Sequence, residues 1–584
     1  MTRTITVWAP RASGVDVVVG GQRHPMKLAG GGWWSAELEL AHGTDYAFLL
    51  NGGESVDGEE QLPDPKSAWQ PAGVHGPSRY VDHSEFAWQA TGWRGKHITG
   101  LVGYELHIGT FTNEGTFDAA IDHLHQLVDL GVDLGVDFVE VMPVAAFPGR
   151  NGWGYDGVFP YAVQDSYGGP DGFKRFVDAC HSRELAVLLD VVYNHLGPDG
   201  NVLPRYGPYF TDSYATPWGK AVNFSGADSD DVRRYFLDNA LMWLRDYRLD
   251  GLRLDAVHAI IDTSATHLLE QMAVEVTALS SELGRPLTIV AESDLNDPRI
   301  VAPHEIGGYG VDAQWSDDFH HALHAALTGE TFGYYEDFGN LADVATALRN
   351  GYVYNGQHSS HRRRRHGRRL PSVVTAQQLF GYSQNHDQVG NRARGERLCH
   401  LVSPAMAKVG AAIVLLSPFT PLLFMGEEWA ASTPWQYFTE HDDAQLVESI
   451  RNGRRNEFKS FGWEPEEVPD PQDPQTSRRS VLDWAERDRA PHHEMLEWYR
   501  ALISLRREFA ELRDGGFETL TADVDEKSRV LVMKRPGITV VANLSPQQRR
   551  LAVSASRVLL ASSSDIVLKR ELTMPGESVV ILGD

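Results

Sequence analysis

The sequence predicts a multidomain α/β protein: a central (β/α)8 TIM barrel between an N-terminal β-sandwich and a C-terminal β-sandwich domain. Three observations predict it. Between about residues 100 and 430, eight short apolar runs alternate with amphipathic stretches, the rhythm of a parallel sheet wrapped in helices. The first ninety residues alternate as strands do and are broken by Gly-rich turns. Beyond about residue 510 helical periodicity stops and β-branched runs return. The expected boundaries are 1–90, 91–510 and 511–584.

The elements follow in order. Residues 15–19 and 33–40 read as strands, separated by Gly30, Gly31 and Gly32. Residues 62–65 and 71–77, rich in Pro and Gly, read as a linker. The eight apolar runs are 102–108, 138–144, 186–192, 251–256, 287–291, 312–315, 379–383 and 421–425. Residues 117–130, 172–183, 232–247 and 264–283 have helical periodicity. Residues 409–425 form the most apolar stretch. Pro418 and Pro421 break it, so a buried helix, turn and strand fit better than a membrane span. Residues 530–533, 538–542 and 578–582 read as C-terminal strands.

Composition narrows the class. With 53 basic and 79 acidic residues the formal charge is −26, which repels phosphate backbones and disfavours nucleic acid. A neutral substrate needs no such steering. Fifteen Trp supply flat faces on which sugars stack, although most such rings belong to cores. Two cysteines, Cys180 and Cys399, make no disulfide framework and suit a reducing cytoplasm. The opening residues lack the basic start and apolar run of a signal peptide. No membrane partner is expected.

In a barrel of this kind, chemistry sits at the C-terminal ends of the strands. Three such ends carry carboxylates: Asp255 after the fourth run, Glu292 after the fifth, and Asp387 after the seventh. One carboxylate at a rim is usually a surface group. Three, each closing an apolar run, point to a site. Two carboxyl groups can break a glycosidic bond, one protonating the leaving oxygen and the other attacking the anomeric carbon. The acid must stay protonated and the nucleophile ionised. Arg253, two residues before Asp255 on one strand, projects to the same side and supplies the cation that the nucleophile needs.

These segments resemble the four signature regions of the α-amylase family of glycoside hydrolases. Residues 190–195 resemble the first, 251–256 the second, Glu292 the third, and Asn385, His386 and Asp387 the fourth. The resemblance implies that Asp255 is the nucleophile, Glu292 the general acid/base, and Asp387 the carboxylate that holds the substrate ring. Gly154, Tyr155 and Asp156 resemble the segment whose Tyr stacks on the sugar at the reacting subsite. His195, Arg253 and His386 would line it. Finer resemblance, at residues 255–262, 291–297, 312–320, 383–392 and 425–429, is to the trehalohydrolases of that family. These take malto-oligosyltrehalose as substrate and release trehalose. Val7, Trp8, Ala9 and Pro10 resemble the opening of the β-sandwich that precedes such barrels. His258 and Ala259 stand where ordinary α-amylases carry Lys-His, which agrees with a different leaving group. Trehalose is then expected in subsites +1 and +2, with Trp218, His258, Glu427 and Glu428 as candidate contacts. An upstream enzyme that makes the trehalosyl end is implied as a functional partner.

No metal or cofactor is expected. Many α-amylases bind calcium near the residue matching Asn194, but six to eight oxygens are needed and the sequence assembles no such cage. His123 and His125 read as a polar helix face. The run 361–369, with six arginines, reads as a solvated loop near the barrel mouth. Two alternatives stand beside the hydrolase. A glucan branching enzyme, a transferase, would share the carboxylates and differ in the acceptor. A non-catalytic glucan-binding protein would usually have lost one of them.

Overall fold

A computed structural model describes residues 2–51, 60–128, 134–459 and 467–584. Its centre is a closed barrel of eight parallel strands, all buried. They are Gly103–Leu106, Phe138–Val141, Ala186–Val191, Gly251–Leu254, Thr288–Ala291, Ala313–Trp315, Leu379–Gly381 and Thr420–Phe424. Each of the eight predicted runs contains or overlaps one of them. The runs are longer because their last residues leave the ladder and form the rim.

Side chains alternate across the barrel wall, as the strand repeat of two requires. Phe138, Ala186, Leu188, Val290, Ala313, Trp315, Phe380 and Leu422 pack together in one cluster inside the barrel. Their neighbours Val139, Leu189, Leu252, Ile289 and Ala291 belong to a second, larger cluster shared with the helices. Gly251 lies where strands crowd. A Cβ there would come within 2.4 Å of the Thr288 carbonyl oxygen, so the fourth strand starts with the one residue that fits.

The helices Gly169–His181, Ser229–Asp246 and Leu268–Leu283 occupy the predicted stretches, shifted by a few residues at their starts. The predicted stretch 117–130 is two short pieces, Phe117–His123 and His125–Val128, and its last two residues lie outside the described ones. The apolar stretch 409–425 divides as expected between the helix Pro404–Leu415 and the eighth strand. No helix among the described residues is long and apolar enough to cross a membrane.

Sheet-rich regions flank the barrel. Near the N-terminus one antiparallel sheet pairs Thr2–Trp8, Trp33–Glu39 and Lys27–Gly30, and another orders Gln22–Pro25, Gly14–Val19, Asp45–Asn51 and Ser78–Arg79. Ile5, Val7, Val15, Val17, Trp34 and Phe48 of these sheets join the same apolar cluster as the barrel helices. At the other end a five-stranded sheet contains Val530–Arg535, Ile538–Asn543 and Ser578–Gly583, and a three-stranded sheet packs against it through Leu572 and Met574.

The stretch 62–77 corrects its reading as a linker. Leu62 bridges to Phe48, and Asp64 is buried, its carboxylate accepting from Tyr46 Oη at 2.7 Å and its backbone N–H donating to Ser78 Oγ at 2.8 Å. Tyr206 and Tyr235 of the barrel domain donate to the carbonyls of Pro63 and Pro65, each at 2.8 Å. Proline composition marks a chain without ladder hydrogen bonds, and here the bonds are made to side chains instead.

The opposite face of the barrel is closed by Arg506, from the helix His492–Glu508. Its guanidinium is buried and donates to the carbonyls of Leu415, Ser417 and Phe419 at 2.8 Å each, and to that of Gly100 at 3.1 Å. Burial pushes it down to about 9, yet it stays charged at neutral pH. Truncation would leave these carbonyls without donors. Arg506→Ala is expected to cost about 3 kcal/mol or more, read as a lowered denaturant midpoint. An unchanged midpoint would show that the carbonyls find other donors.

Candidate active site

Strand parity carries one set of side chains upward through the barrel. Asp190 and Arg253 are register partners on the third and fourth strands. Asp255 and Glu292 continue the inward phase just past the strand ends. Arg253 is fully buried and lies over the Trp315 ring, 4.3 Å from its centroid. Its Nη1 donates to Asp190 Oδ2 at 2.8 Å and to Asp255 Oδ1 at 2.9 Å. Its Nη2 lies 2.9 Å from Glu292 Oε2, an ion contact without hydrogen-bond alignment.

The two carboxyl groups on this one cation are held differently. Asp255 also accepts from Asn194 Nδ2 at 2.7 Å. Burial works against its charge, but Arg253, His195 and the Asn194 bond outweigh it and hold the carboxyl below the usual range. Glu292 accepts from the Ala256 N–H at 2.7 Å. Burial, with Asp255, Asp387 and Asp317 adding, outweighs Arg253 and pushes its carboxyl well up. The two carboxyls are therefore driven in opposite directions, Asp255 toward the ionised form and Glu292 toward the protonated form. That pair can deliver a nucleophile and a proton to the two sides of one bond.

A chain of hydrogen bonds supports the wall beside them. His386 Nδ1 and its backbone N–H both meet Glu105 of the first strand. His386 Nε2 lies 2.7 Å from Tyr155 Oη, which donates to Asp190 Oδ2 at 2.6 Å. The Tyr155 and His386 rings stack at 5.1 Å. Burial opposes a charged His386, but Asp387 and Glu105 lift it to about 9, so both ring nitrogens donate. His195 Nε2 lies 3.1 Å from the Tyr155 carbonyl oxygen. Asp387 is part-exposed, with Asn391 Nδ2 donating to it at 3.1 Å.

Asp255, Glu292, Asp387, Tyr155, His195, Trp218 and His258 line a cavity of about 580 Å³ at the barrel mouth, with Arg253 and His386 behind its wall. Trp218 stacks on His195 at 4.8 Å from the hairpin formed by Phe210–Thr216 and Gly219–Val222, and is 48% exposed. A second cavity of about 300 Å³ shares Glu292, Asp387 and His258 with the first, and extends past Asp294, Asp317 and Arg362.

Glu427 and Glu428 correct the expectation of sugar contacts. Both are buried and line neither cavity. Glu427 accepts from Ser383 Oγ at 2.8 Å and Tyr499 Oη at 2.9 Å, and Glu428 from Tyr104 Oη at 3.0 Å. They follow the eighth strand, but the turn at Gly426 directs them into the protein. Asn194 is spent inside the site, since Nδ2 holds Asp255 and Oδ1 meets His195. Among the described residues no group of three or more His, Cys, Asp or Glu is placed to hold a metal ion.

Other lining residues carry no strong sequence signal. Arg454, on the helix Ala444–Lys459, reaches the larger cavity from far downstream. The arginine-rich run is a hairpin, Asn355–Ser359 paired with Arg364–Gly367, rather than an open loop. Arg363, Arg364 and Arg365 are exposed, but Arg362 turns inward and meets Asp294 Oδ2 at 2.8 Å.

Comparison with known proteins agrees with this geometry. A family profile described as the alpha amylase catalytic domain matches residues 87–207. The malto-oligosyltrehalose trehalohydrolase of Mycobacterium tuberculosis is 49% identical over 580 residues, covering 99% of this chain and 98% of that protein. The Arthrobacter ramosus protein of the same name is 51% identical over 551 residues, covering 94% and 93%. A crystal structure of a Salmonella typhimurium protein, assigned provisionally to the alpha amylases, superposes with a TM-score of 0.90 at 36% identity, covering 100% and 97%.

The charge on His386 makes a stability prediction. Its folded pKa of about 9 lies above the unfolded value near 6.5, so its contribution is complete below about pH 6.5 and is lost as pH rises through 9. The difference amounts to about 3 kcal/mol between these limits. Denaturant midpoints should fall across that window in the wild type, and this fall should be absent from His386→Gln. Parallel curves for the two proteins would show that His386 is neutral.

Proposed function

Because the chain belongs to the malto-oligosyltrehalose trehalohydrolase family of α-amylase-type glycoside hydrolases, we propose that it cleaves the α-1,4 bond joining trehalose to a malto-oligosaccharide. The observation that carries the chemistry is the placement of Asp255 and Glu292 on one buried guanidinium, with their surroundings driving the two carboxyls in opposite directions.

Asp255 attacks the anomeric carbon of the glucose in the larger cavity. Glu292 gives its proton to the departing O4 of trehalose. A glycosyl-enzyme forms, and the products part with retention after a second displacement. In that step Glu292, now a carboxylate, takes a proton from water as the water attacks. Asp387 holds the ring hydroxyls, Tyr155 stacks on the sugar, and His195, Arg253 and His386 complete the subsite. The second cavity begins at Glu292 and lacks Asp255, as a leaving-group site should. Trehalose occupies it as subsites +1 and +2, with His258 on its border, while Trp218 lines the larger cavity only. We place the protein in the cytoplasm, where its free Cys180 and Cys399 stay reduced and an enzyme that forms trehalosyl ends would supply the substrate.

Maltotriosyl-trehalose and a linear malto-oligosaccharide of equal length test the substrate. Free trehalose from the first and much slower cleavage of the second are expected. Equal rates, or new α-1,6 branch points, would refute it. Asp255→Asn should lower kcat by at least ~10³-fold while substrate still binds in calorimetry. Retained turnover would remove Asp255 as the nucleophile.

A further inference from the structure

We propose that Asp317 binds the leaving group, its carboxyl hydrogen-bonding a hydroxyl of the sugar that departs past Glu292. This rests on Glu292 being the acid, and it assigns a residue to the far side of that acid.

Parity places the group. Ala313 and Trp315 of the sixth strand point into the barrel, and Asp317, two residues on, continues the inward phase at the rim. It is the sixth strand's counterpart of Asp255 and Glu292. Its carboxyl faces the cavity of about 300 Å³ that contains Glu292, Asp294 and Arg362. Neither Asp255 nor Tyr155 lines that cavity. Asp317 is thus separated from the nucleophile and adjoins the proton donor.

The group is fixed. Tyr382 Oη donates to Asp317 Oδ1 at 2.6 Å. The Tyr382 ring packs 5.4 Å from Trp315 and 5.6 Å from His320, so the donor itself is held. Oδ2 has no hydrogen-bond partner among the described residues, and it is not a sealed atom. A carboxyl with one oxygen anchored and the other facing a polar cavity is built to meet a hydroxyl. Burial pushes Asp317 up to about 7, against the Tyr382 bond and with Asp294 and Asp387 adding. Near neutral pH it can accept from a hydroxyl or donate to one, and sugar hydroxyls satisfy both.

The test compares leaving groups on the full chain. Maltotriosyl-trehalose has a leaving group that reaches Asp317, whereas the fluoride of α-maltosyl fluoride has no hydroxyl to offer. Asp317→Ala should lower kcat/KM on the oligosaccharide by roughly 10- to 100-fold. On the fluoride it should stay within about threefold of wild type. Asp317→Asn, isosteric and able to keep the Tyr382 bond, should fall between and controls for folding. Equal losses on both substrates, no loss on either, or an oligosaccharide loss that comes with a displaced alkaline limb of the pH profile and so acts through Glu292, would overturn the proposal. If the wild type prefers linear chains, the trehalose reading fails. The same comparison, run with a linear malto-oligosaccharide, still decides Asp317.

Discussion

One buried guanidinium organises this molecule. Arg253 has no water contact, so its charge is answered only by protein groups. Asp190, Asp255 and Glu292 all gather on it, and Trp315 covers its face. Such a cation stabilises nearby negative charge strongly, because little solvent screens it. It cannot do so for every carboxyl at once. Arg253, with His195 and Asn194 in addition, holds the Asp255 carboxyl down, while burial and the surrounding carboxylates push the Glu292 carboxyl up. The division of roles is a property of the whole cluster.

The layer beneath balances the account. His386 is the second cation of the barrel interior, held between Glu105 and Tyr155. Glu140, register partner of Glu105, is buried, and among the described residues neither of its oxygens has a hydrogen-bond partner. Burial, with Glu105 adding, pushes it well up, so it is neutral. The barrel thus sets Arg253 and His386 against Glu105, Asp190 and Asp255, and the raised Glu140 carboxyl limits the negative charge buried beside them. A compact charged layer of this kind requires walls that do not move. Gly251, where the strands crowd, and Arg506, which ties four carbonyls at the opposite end, are among the residues that keep them in place.

Much of this was legible in the sequence, because the barrel separates its signals. Strands buried on both sides read as uninterrupted apolar runs, so all eight stand out between amphipathic helices. A charged residue that ends such a run stands out too, which is why Asp255, Glu292 and Asp387 are visible. Asp317 follows the same parity, yet it begins a helix, Asp317–Thr328, where an acidic residue has an ordinary place near the positive end of the helix dipole. Its second role was hidden by the first. Glu427 and Glu428 fail in the opposite sense. They too follow an apolar strand, but the αL turn at Gly426 sends them into the core, and a single glycine does not announce its direction. Arg362 was concealed by five neighbours of its own type.

The hairpin that carries Arg362 shows how a barrel changes substrate while keeping its chemistry. Asp337 caps its first strand, accepting from the Ser360 N–H at 2.9 Å and from Tyr354 Oη at 2.7 Å. His366 pairs with the Asp294 carbonyl oxygen at 2.7 Å, and the Arg368 N–H donates to the Asn296 carbonyl oxygen at 3.1 Å. These bonds attach the hairpin to the segment just after Glu292. The wall of the second cavity is therefore indexed to the proton donor. None of the hairpin's own groups touches Arg253, Asp190 or Asp255. Selection on the hairpin could reshape the leaving-group side without disturbing the ionisation of the reacting pair, whereas Asp317 also helps to push the Glu292 carboxyl up. That independence follows from geometry: Arg253 and Asp190 are buried inside the barrel, and the hairpin stands at the rim.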